Sequence, residues 1–263
     1  MNKYLVIGNP IEHSLSPKLH NFWIKANNLD AIYEKKKLNE NELTDLMLKV
    51  KKKDIHGINV TVPFKKVVIP YLDQLTFESE STQSVNTIYL ENNKLIGHNT
   101  DIEGFERSIQ DLKLEVTKKK ILILGAGGVV PSIIFALNKM KVSEVIVSNR
   151  TKSKAESLKN TFENIKIVEW GEIPEFNMVI NATSIGLKND DKIDLDFSKV
   201  GKNKFFYDVI YKPNETNFLK VGKKLGNKTE NGKMMFIYQA LGAFKLWHGI
   251  QPDIDTEVIK ILD

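Results

Sequence analysis

The sequence has no cysteine, only two arginines and no long apolar run. Without cysteine there can be neither a disulfide framework nor thiolate chemistry, and a reducing compartment is compatible with the chain. The apolar stretch near the start, Tyr4–Ile7, is shorter than the core of a signal peptide. A membrane-spanning helix needs about 20 apolar residues. We therefore expect a cytoplasmic protein with no membrane segment.

Arginine is scarce in a chain that is otherwise basic, with a net charge of +5 and an isoelectric point of about 9.0. Such a balance is compatible with nucleic-acid binding. Arginine is the usual base-reading residue, however, and only Arg107 and Arg150 are present. The scattered lysines are typical of solvated faces, so we expect no nucleic-acid function. The five histidines lack HExxH or paired spacing, and we expect no metal site.

What the sequence does contain is a regular alternation of strand-like and helix-like segments over 263 residues. The length suits one large domain or two smaller ones. Strand–helix alternation predicts an α/β protein with parallel sheets and helices on both faces. We place a boundary near Asp101–Gly104. The first domain then covers residues 1–101, the second covers 102–235, and closing helices over 236–263 return to the first.

Apolar periodicity locates the elements. A helix is expected to start with Ser16 as N-cap and Pro17 at the first helical position. A hairpin joined at Glu91–Lys94 is expected before the boundary. The second amphipathic helix should bury Leu43, Leu46, Met47 and Val50. Strands are expected at KYLVIG, AIYEKKKL, ILILG, EVIVSNR, MVINATS and KFFYDVIY.

The stretch GINVTVPFKK, Gly57–Lys66, alternates apolar and polar residues, which predicts a strand with one buried face. Pro63 should stop it, because proline cannot donate to a strand ladder. The apolar set is Ile58, Val60, Val62 and Phe64. The polar set is Asn59, Thr61 and Lys65, and it would face a ligand rich in hydroxyl groups.

A glycine-rich loop follows a buried aliphatic strand in KKKILILGAGGVVPSIIFAL. Gly125 and Gly127 fill the first two positions of GxGxxG, and Val130 fills the third. The first glycine allows the tight turn, and the second lets the backbone approach a pyrophosphate at a helix N-terminus. Pro131 falls in the first turn of that helix. The pattern predicts a dinucleotide site; the alternative is a glycine turn with no ligand.

The next strand, EVIVSNRTKSK, indicates which dinucleotide binds. An NAD site usually has an acidic residue at this strand end for the ribose hydroxyls. This strand ends in Ser148, Asn149, Arg150 and Thr151, with Lys154 following. A guanidinium and an ammonium suit a 2′-phosphate, so the sequence predicts NADP. The alternative is that Arg150 caps an ordinary strand end.

Motifs along essentially the whole chain resemble those of the shikimate dehydrogenase family, the NADP-dependent enzymes of aromatic (chorismate) biosynthesis. They are IGNPIEHSLSPKLHN, GINVTVPFK, SVNTIY, GHNTDIEGF, LGAGGVVPSI, SNRTKSKA, NATSIGL, DVIY and YQALGAF. The resemblance implies two α/β domains with a cleft between them. The first domain and the last helices would hold the substrate, and a Rossmann-type middle domain would hold NADP. The chain departs from the family pattern at Gln83, Ser84, Val129–Pro131 and Met234.

The resemblance also implies roles for single residues. Lys65 and Asp101 would be the catalytic pair that reduces 3-dehydroshikimate to shikimate with NADPH, Lys65 as acid in reduction and as base in reverse. The implied substrate residues are Ser14, Ser16, Asn59, Thr61, Lys65, Asn86, Asp101, Tyr211 and Gln239. The implied cofactor residues are Gly125, Ala126, Gly127, Gly128, Val129, Asn149, Arg150, Thr151, Lys154, Thr183, Ser184, Val209 and Gly232.

Alternatives remain open at this point. Without the flanking motif Lys65 would be an ordinary surface lysine, and Tyr211 and Gln239 could be buried polar residues. Ser14 and Ser16 could serve only to cap a helix. A quinate/shikimate dehydrogenase preferring NAD and a non-catalytic sensor of shikimate are the rival functions. We expect a small-molecule substrate as partner, and a monomer or a homodimer.

Overall fold

A computed structural model describes residues 1–188 and 190–263 of the chain. The chain divides into two compact units. The first unit comprises Met1–Gly104 together with Ile237–Asp263, and the second comprises Phe105–Phe236. Each unit contains a six-stranded sheet with helices, which confirms the predicted α/β class.

The elements follow one another in strand–helix order. The strands are β1 (Asn2–Gly8), β2 (Ala31–Lys37), β3 (Gly57–Val60), β4 (Gln74–Leu75), β5 (Thr87–Glu91), β6 (Lys94–His98), β7 (Lys120–Leu124), β8 (Glu144–Ser148), β9 (Ile165–Val168), β10 (Met178–Asn181), β11 (Phe205–Asp208) and β12 (Lys228–Glu230). The α-helices are α1 (Ser16–Ala26), α2 (Leu43–Lys51), α3 (Phe64–Val67), α4 (Phe77–Thr82), α5 (Thr100–Asp111), α6 (Val130–Lys139), α7 (Lys152–Glu156), α8 (Asn217–Lys224), α9 (Lys233–His248) and α10 (Thr256–Lys260). Short 3₁₀ helices cover Glu40–Glu42, Ile69–Tyr71 and Ser157–Asn160.

The sheet of the first unit is mixed, in the order β2-β1-β3-β5-β6-β4. β1 pairs in parallel with β2 and β3, whereas β5 pairs antiparallel with β3 and forms the predicted hairpin with β6. Helix α2 covers it with the predicted apolar face of Leu43, Leu46, Met47 and Val50, all buried. Helix α9 packs against the same sheet, where a Cβ on Gly57 would lie 2.3 Å from Trp247 Nε1.

The sheet of the second unit is wholly parallel, in the order β12-β11-β10-β7-β8-β9. Ile121, Leu122, Ile123 and Leu124 of β7 are each 0% exposed, as expected for a central strand covered on both faces. The chain passes from β7 outward to β8 and later returns to β10 on the other side of β7. In open parallel sheets this reversal marks the crevice where ligands bind, at the carboxyl ends of the strands.

Two local predictions are wrong. The strand of GINVTVPFKK ends at Val60, all its residues are buried, and Val62 beyond it is 54% exposed. Lys65 therefore lies on helix α3 and does not share a strand face with Asn59. Ser16 is the first residue of α1, not its N-cap; Leu15 holds that position.

Within residues 1–188 and 190–263, no helix combines the length and apolar character that crossing a membrane requires. In the same part of the chain, no group of three or more potential metal-binding side chains comes together.

Candidate active site

The first unit gathers polar side chains at one edge of its sheet. β1 and β3 are parallel, so their carboxyl ends at Gly8 and Val60 meet at that edge. β5 is antiparallel to β3 and begins there at Thr87, and β6 ends there at His98. The segments that follow β1, β3 and β6, and the one that precedes β5, therefore come together. They carry most of the predicted substrate residues.

Lys65 and Asp101 form a buried ion pair at this edge. Lys65 Nζ donates to Asp101 Oδ2, and the two side chains are 11% and 8% exposed. Asp101 lies in the first turn of α5, where the helix dipole favours a carboxylate. Its backbone N–H donates to Asn99 Oδ1 at 3.1 Å. An amine and a carboxylate held together in this way can exchange a proton with a hydroxyl placed beside them.

Asn86 fixes the second carboxylate oxygen of Asp101. Asn86 Nδ2 donates to Asp101 Oδ1 and to Thr100 Oγ1, both at 2.9 Å. Asn86 Oδ1 accepts from the Thr100 backbone N–H at 2.8 Å and from the Thr87 hydroxyl at 3.0 Å. A primary amide has two N–H donors and one oxygen with two lone pairs. Asn86 is therefore fully engaged in holding Asp101 and the start of α5.

Other predicted substrate residues belong to the same unit. Ser14 is half-buried after β1, and its Oγ accepts from the Ser16 backbone N–H at 3.3 Å. Ser16 is buried, and Thr61 is half-buried directly after β3. Gln239 is half-buried on α9. Hydroxyls and an amide of this kind suit a ligand rich in oxygen atoms.

The glycine-rich loop of the second unit joins the carboxyl end of β7 to α6. Gly125 has φ of 114°, and a Cβ there would lie 2.9 Å from Ala182 O, so the fold itself requires glycine. At Gly127 a Cβ would meet only Ala182 O at 3.9 Å, an ordinary contact that the fold could accept. Pro131 lies in the first turn of α6, as predicted. The other predicted loop residues are Ala126, Gly128 and Val129.

The loop after β8 presents positive charge. Arg150 and Lys154 are exposed, and neither forms an ion pair within residues 1–188 and 190–263. Lys152, between them, is instead paired with Glu169. Asn149 Nδ2 donates to the Thr151 carbonyl at 2.8 Å and so closes the turn. Two unneutralised cations at this strand end fit a 2′-phosphate, and no carboxylate of the loop opposes it.

Asn181 and Asp208 end the neighbouring strands β10 and β11 and are linked by a hydrogen bond of 3.1 Å. Asp208 also accepts from the Thr216 hydroxyl at 2.6 Å and from the Ile210 N–H at 3.0 Å. Burial raises the pKa of Asp208 to about 6, although these donors favour the charged form. Thr183, predicted to meet the cofactor, donates from Oγ1 to Asn181 Oδ1 at 2.7 Å. The network fixes both loops at the carboxyl edge.

The remaining predicted residues lie on these loops. Ser184 is exposed after β10. Gly232 packs against Val209 so closely that a Cβ would lie 2.1 Å from Val209 O, which brings these two predicted cofactor residues together. Tyr211, predicted to bind substrate, also belongs to the second unit, where its ring stacks on Phe236 with centroids 4.3 Å apart.

Several buried polar residues behind the site were not predicted. They are Tyr33, Thr87, Thr100, Asn181 and Asp208. A signal existed for Asn181 and Asp208, since each is a polar residue that ends an apolar strand. Tyr33 stands in a strand of charged residues and gives no comparable signal, because its burial depends on what packs over it.

Comparison with known proteins gives matches to both units. The family profile described as shikimate dehydrogenase substrate binding domain matches residues 6–88. The profile described as shikimate / quinate 5-dehydrogenase matches residues 107–191. A curated relative, the shikimate dehydrogenase (NADP(+)) of Pelagibacter ubique, is 58% identical over 260 residues, which are 99% of this chain and 98% of the relative.

Solved structures are similar over the full length. The crystal structure of shikimate dehydrogenase from Aquifex aeolicus has a TM-score of 0.91 and 38% identity, and the match covers 100% of this chain and 97% of that one. A shikimate dehydrogenase solved in complex with NADP⁺ has a TM-score of 0.92 and 34% identity, with 100% and 94% covered.

Proposed function

The chain belongs to the shikimate dehydrogenase family, and we propose that its reaction, the reversible NADPH-dependent reduction of 3-dehydroshikimate to shikimate, depends on Lys65 and Asp101 for proton transfer. The observation that carries this proposal is the buried Lys65–Asp101 pair, with its second carboxylate oxygen held by Asn86. A lysine that is buried against a carboxylate at a sheet edge is not an ordinary solvated surface lysine.

Reduction adds a hydride to the ketone carbon, and the ketone oxygen must then gain a proton. NADPH supplies the hydride when it is bound. Lys65, as an ammonium group, donates the proton to that oxygen, and in the direction of oxidation the neutral amine takes it back. Asp101 accepts from Lys65 and keeps Nζ in place, while its fixed orientation leaves it able to hydrogen-bond the same substrate hydroxyl.

The other substrate contacts follow from the donors at the same edge. Ser14, Ser16 and Thr61 carry hydroxyls that can bind the carboxylate or ring hydroxyls of shikimate, and Gln239 adds an amide. Tyr211 is proposed as a further contact from the second unit. Asn86 acts chiefly through Asp101, because both of its amide hydrogens are donated within the protein.

We assign NADP to the second unit. Gly125–Val129 and the start of α6 would bind the pyrophosphate, and Arg150 with Lys154 and the Asn149–Thr151 turn would bind the 2′-phosphate. Thr183, Ser184, Val209 and Gly232 are the proposed contacts of the nicotinamide half. The first unit, including α9 and α10, would bind the substrate.

A cytoplasmic location and a monomeric or homodimeric state are also proposed. The location fits an NADPH-dependent biosynthetic reaction. The edges of the first unit's sheet disfavour pairing between copies, because β2 carries Lys35, Lys36 and Lys37 and β4 has two residues. Light scattering after gel filtration measures the mass. A larger assembly would contradict the proposed state.

The activity is tested by following the near-ultraviolet absorbance of NADPH after 3-dehydroshikimate is added. We expect NADPH to be consumed in proportion to the shikimate formed. Oxidation in the reverse direction should be faster with shikimate and NADP⁺ than with quinate or with NAD⁺. A preference for quinate and NAD⁺ would support the rival dehydrogenase, and binding of shikimate without turnover would support a sensor.

A further inference from the structure

Tyr33 is a buried tyrosine whose hydroxyl reaches the predicted substrate residues. Its side chain is 1% exposed, and its hydroxyl donates to Asn59 Oδ1 at 2.7 Å. The ring is held flat against His20, with centroids 4.1 Å apart and planes 4° from parallel. A phenol clamped in this way has little freedom to turn its hydroxyl elsewhere, so the bond to Asn59 is a fixed feature of the first unit.

Asn59 has no amide hydrogen left for a substrate. Its Nδ2 donates to the Asn86 carbonyl and to Thr87 Oγ1, both at 3.1 Å. A primary amide has two N–H donors, and both are used inside the protein. The Asn86 carbonyl can only accept, so the NH₂ end of the amide must face it, and the Tyr33 hydroxyl then donates to the oxygen end and holds it in place. Asn59 is better described as a support than as a direct substrate donor.

The hydrogen bonds continue from Asn59 to the catalytic pair. Thr87 Oγ1 accepts from Asn59 and donates to Asn86 Oδ1 at 3.0 Å. Asn86 Nδ2 donates to Asp101 Oδ1 at 2.9 Å, and Asp101 Oδ2 accepts from Lys65. Every donor and acceptor in this series is buried. Such networks fix a single orientation when they are complete and lose it when one member is missing.

Tyr33 also contacts the other end of the site. The Ser16 side chain hydrogen-bonds to it, which opposes the strong rise in the pKa of Tyr33 that burial causes. Because burial outweighs this hydrogen bond, the phenol stays protonated near neutral pH and remains a donor to Asn59. One hydroxyl thus touches Ser16, which follows β1, and Asn59 of β3.

We propose that Tyr33 is a positioning residue for the reaction: its hydroxyl sets the Asn59 amide and, through Thr87 and Asn86, the carboxylate of Asp101. This inference rests on the proposed function, since Asp101 must be catalytic for its orientation to matter. Tyr33 touches neither the reacting atoms nor the cofactor residues. Its loss should therefore change the steps that use substrate and leave cofactor binding alone.

The test is Tyr33→Phe, which removes one oxygen atom from the core. We expect kcat/KM for shikimate to fall about tenfold, since misplacement of catalytic groups by less than an ångström has effects of this order. The KM for NADP⁺ should stay within about twofold of the parent value. Thr87→Val breaks the same series one step later and should give the same pattern.

The matched control is Tyr207→Phe. Tyr207 is equally buried, and its hydroxyl shares a hydrogen bond of 3.0 Å with Ser108 in the part of α5 that belongs to the second unit. Within the described residues, no hydrogen bond joins Tyr207 to Lys65 or Asp101. The Tyr207→Phe variant should lose about as much stability as Tyr33→Phe and keep the parent kcat/KM for shikimate. Thermal unfolding of all variants separates a folding defect from a kinetic one.

A double-mutant cycle decides whether Tyr33 acts through Asn59. In an Asn59→Ala background, Tyr33→Phe should change kcat/KM for shikimate less than twofold, because the partner it positions is gone. If the parent enzyme is active and the folded Tyr33→Phe variant has unchanged kinetics, the inference about Tyr33 is overturned and the proposed function is not. A full tenfold loss in both backgrounds, or an equal loss in Tyr207→Phe, also overturns the inference. An inactive parent enzyme overturns the proposed function instead.

Discussion

Arg150 is the single residue that we propose determines the choice between NADPH and NADH. It is exposed after β8 and forms no ion pair in the described part of the chain. Arg150→Ala should raise the KM for NADPH at least tenfold and leave the KM for NADH nearly unchanged, since charged hydrogen bonds contribute about 1.5–3 kcal/mol. Initial rates with each cofactor measure the effect.

Lys152→Ala is the matched control, because Lys152 lies on the same segment but is paired with Glu169. It should affect both cofactors little. Equal changes for NADPH and NADH in the Arg150 variant would mean that Arg150 does not bind the phosphate.

Single residues show what could and what could not be predicted from the sequence. Lys65 and Asp101 could be named because each stands in a short motif, and the structure brings them together. Their neighbourhood could not be derived. The alternation around Asn59 suggested a strand face with Lys65 on it, but the chain turns into α3 at Phe64. Tyr33 was missed because its partners are distant in sequence.

The glycine-rich loop between β7 and α6, which we propose binds the pyrophosphate, allows stability and cofactor binding to be tested separately. Gly127→Ala should leave thermal stability unchanged, because the added Cβ meets only one atom, at 3.9 Å. It should raise the KM for NADP⁺ about tenfold or more, because the Cβ occupies the space where the backbone approaches the phosphates. Thermal unfolding without ligand and steady-state kinetics are the two measurements.

Gly125→Ala and Gly171→Ala complete that comparison. Both glycines have positive φ, 114° and 111°, but only Gly125 has backbone within 3 Å of a Cβ. Gly125→Ala should therefore lose far more stability than Gly171→Ala. If Gly127→Ala bound NADP⁺ normally, the loop would not be a phosphate site.

Helices α1 and α9 contain the buried His20 and the half-buried His248, which should make stability depend on pH. Burial lowers the pKa of His20 to about 3, with a further decrease from nearby His248, whose own pKa burial lowers to about 4. An unfolded histidine has a pKa of about 6.5, so below that pH the unfolded chain binds more protons. The free energy of unfolding should fall as pH decreases, by about 2 kcal/mol at pH 5 from His20 alone.

Urea unfolding at pH 7 and pH 5, followed by tryptophan fluorescence in a Trp170→Phe background so that only Trp23 and Trp247 report, measures this loss in the first unit. His20→Phe should lose less stability on acidification than the parent. His13→Phe, at an exposed histidine, should behave like the parent. A parent protein equally stable at both pH values would show that His20 is not buried uncharged.

Elements with strong periodicity were predicted well, and short edge strands were not. The core strand β7 and helix α2 follow directly from apolar patterns. β4 and β12 have two and three residues and are too short to show a period, and the edge strand β9 was also missed. Gln83 stands where the family resemblance leads us to expect glycine, and its φ of 49° lies in the region that glycine adopts without strain.

At the scale of the whole molecule, the first unit is built from two separate stretches of the sequence. The first unit is interrupted by the second and resumes with α9, whose Trp247 donates to the Ile88 carbonyl at 3.3 Å. The return of the last helices to the first domain was expected from the sequence, but the return is long-range, so periodicity within α9 could not show which strands it packs on. We propose that the first unit binds the substrate and the second binds NADP.

The central claim is that Lys65 transfers the proton, and Lys65→Ala tests it most directly, with exposed Lys66→Ala on the same helix as control. General acid–base steps contribute about 10²- to 10⁴-fold. We predict that kcat for 3-dehydroshikimate falls more than a hundredfold in Lys65→Ala, while NADP⁺ binding and folding persist and Lys66→Ala keeps the parent rate. A folded Lys65→Ala enzyme with near-parent turnover would contradict the account.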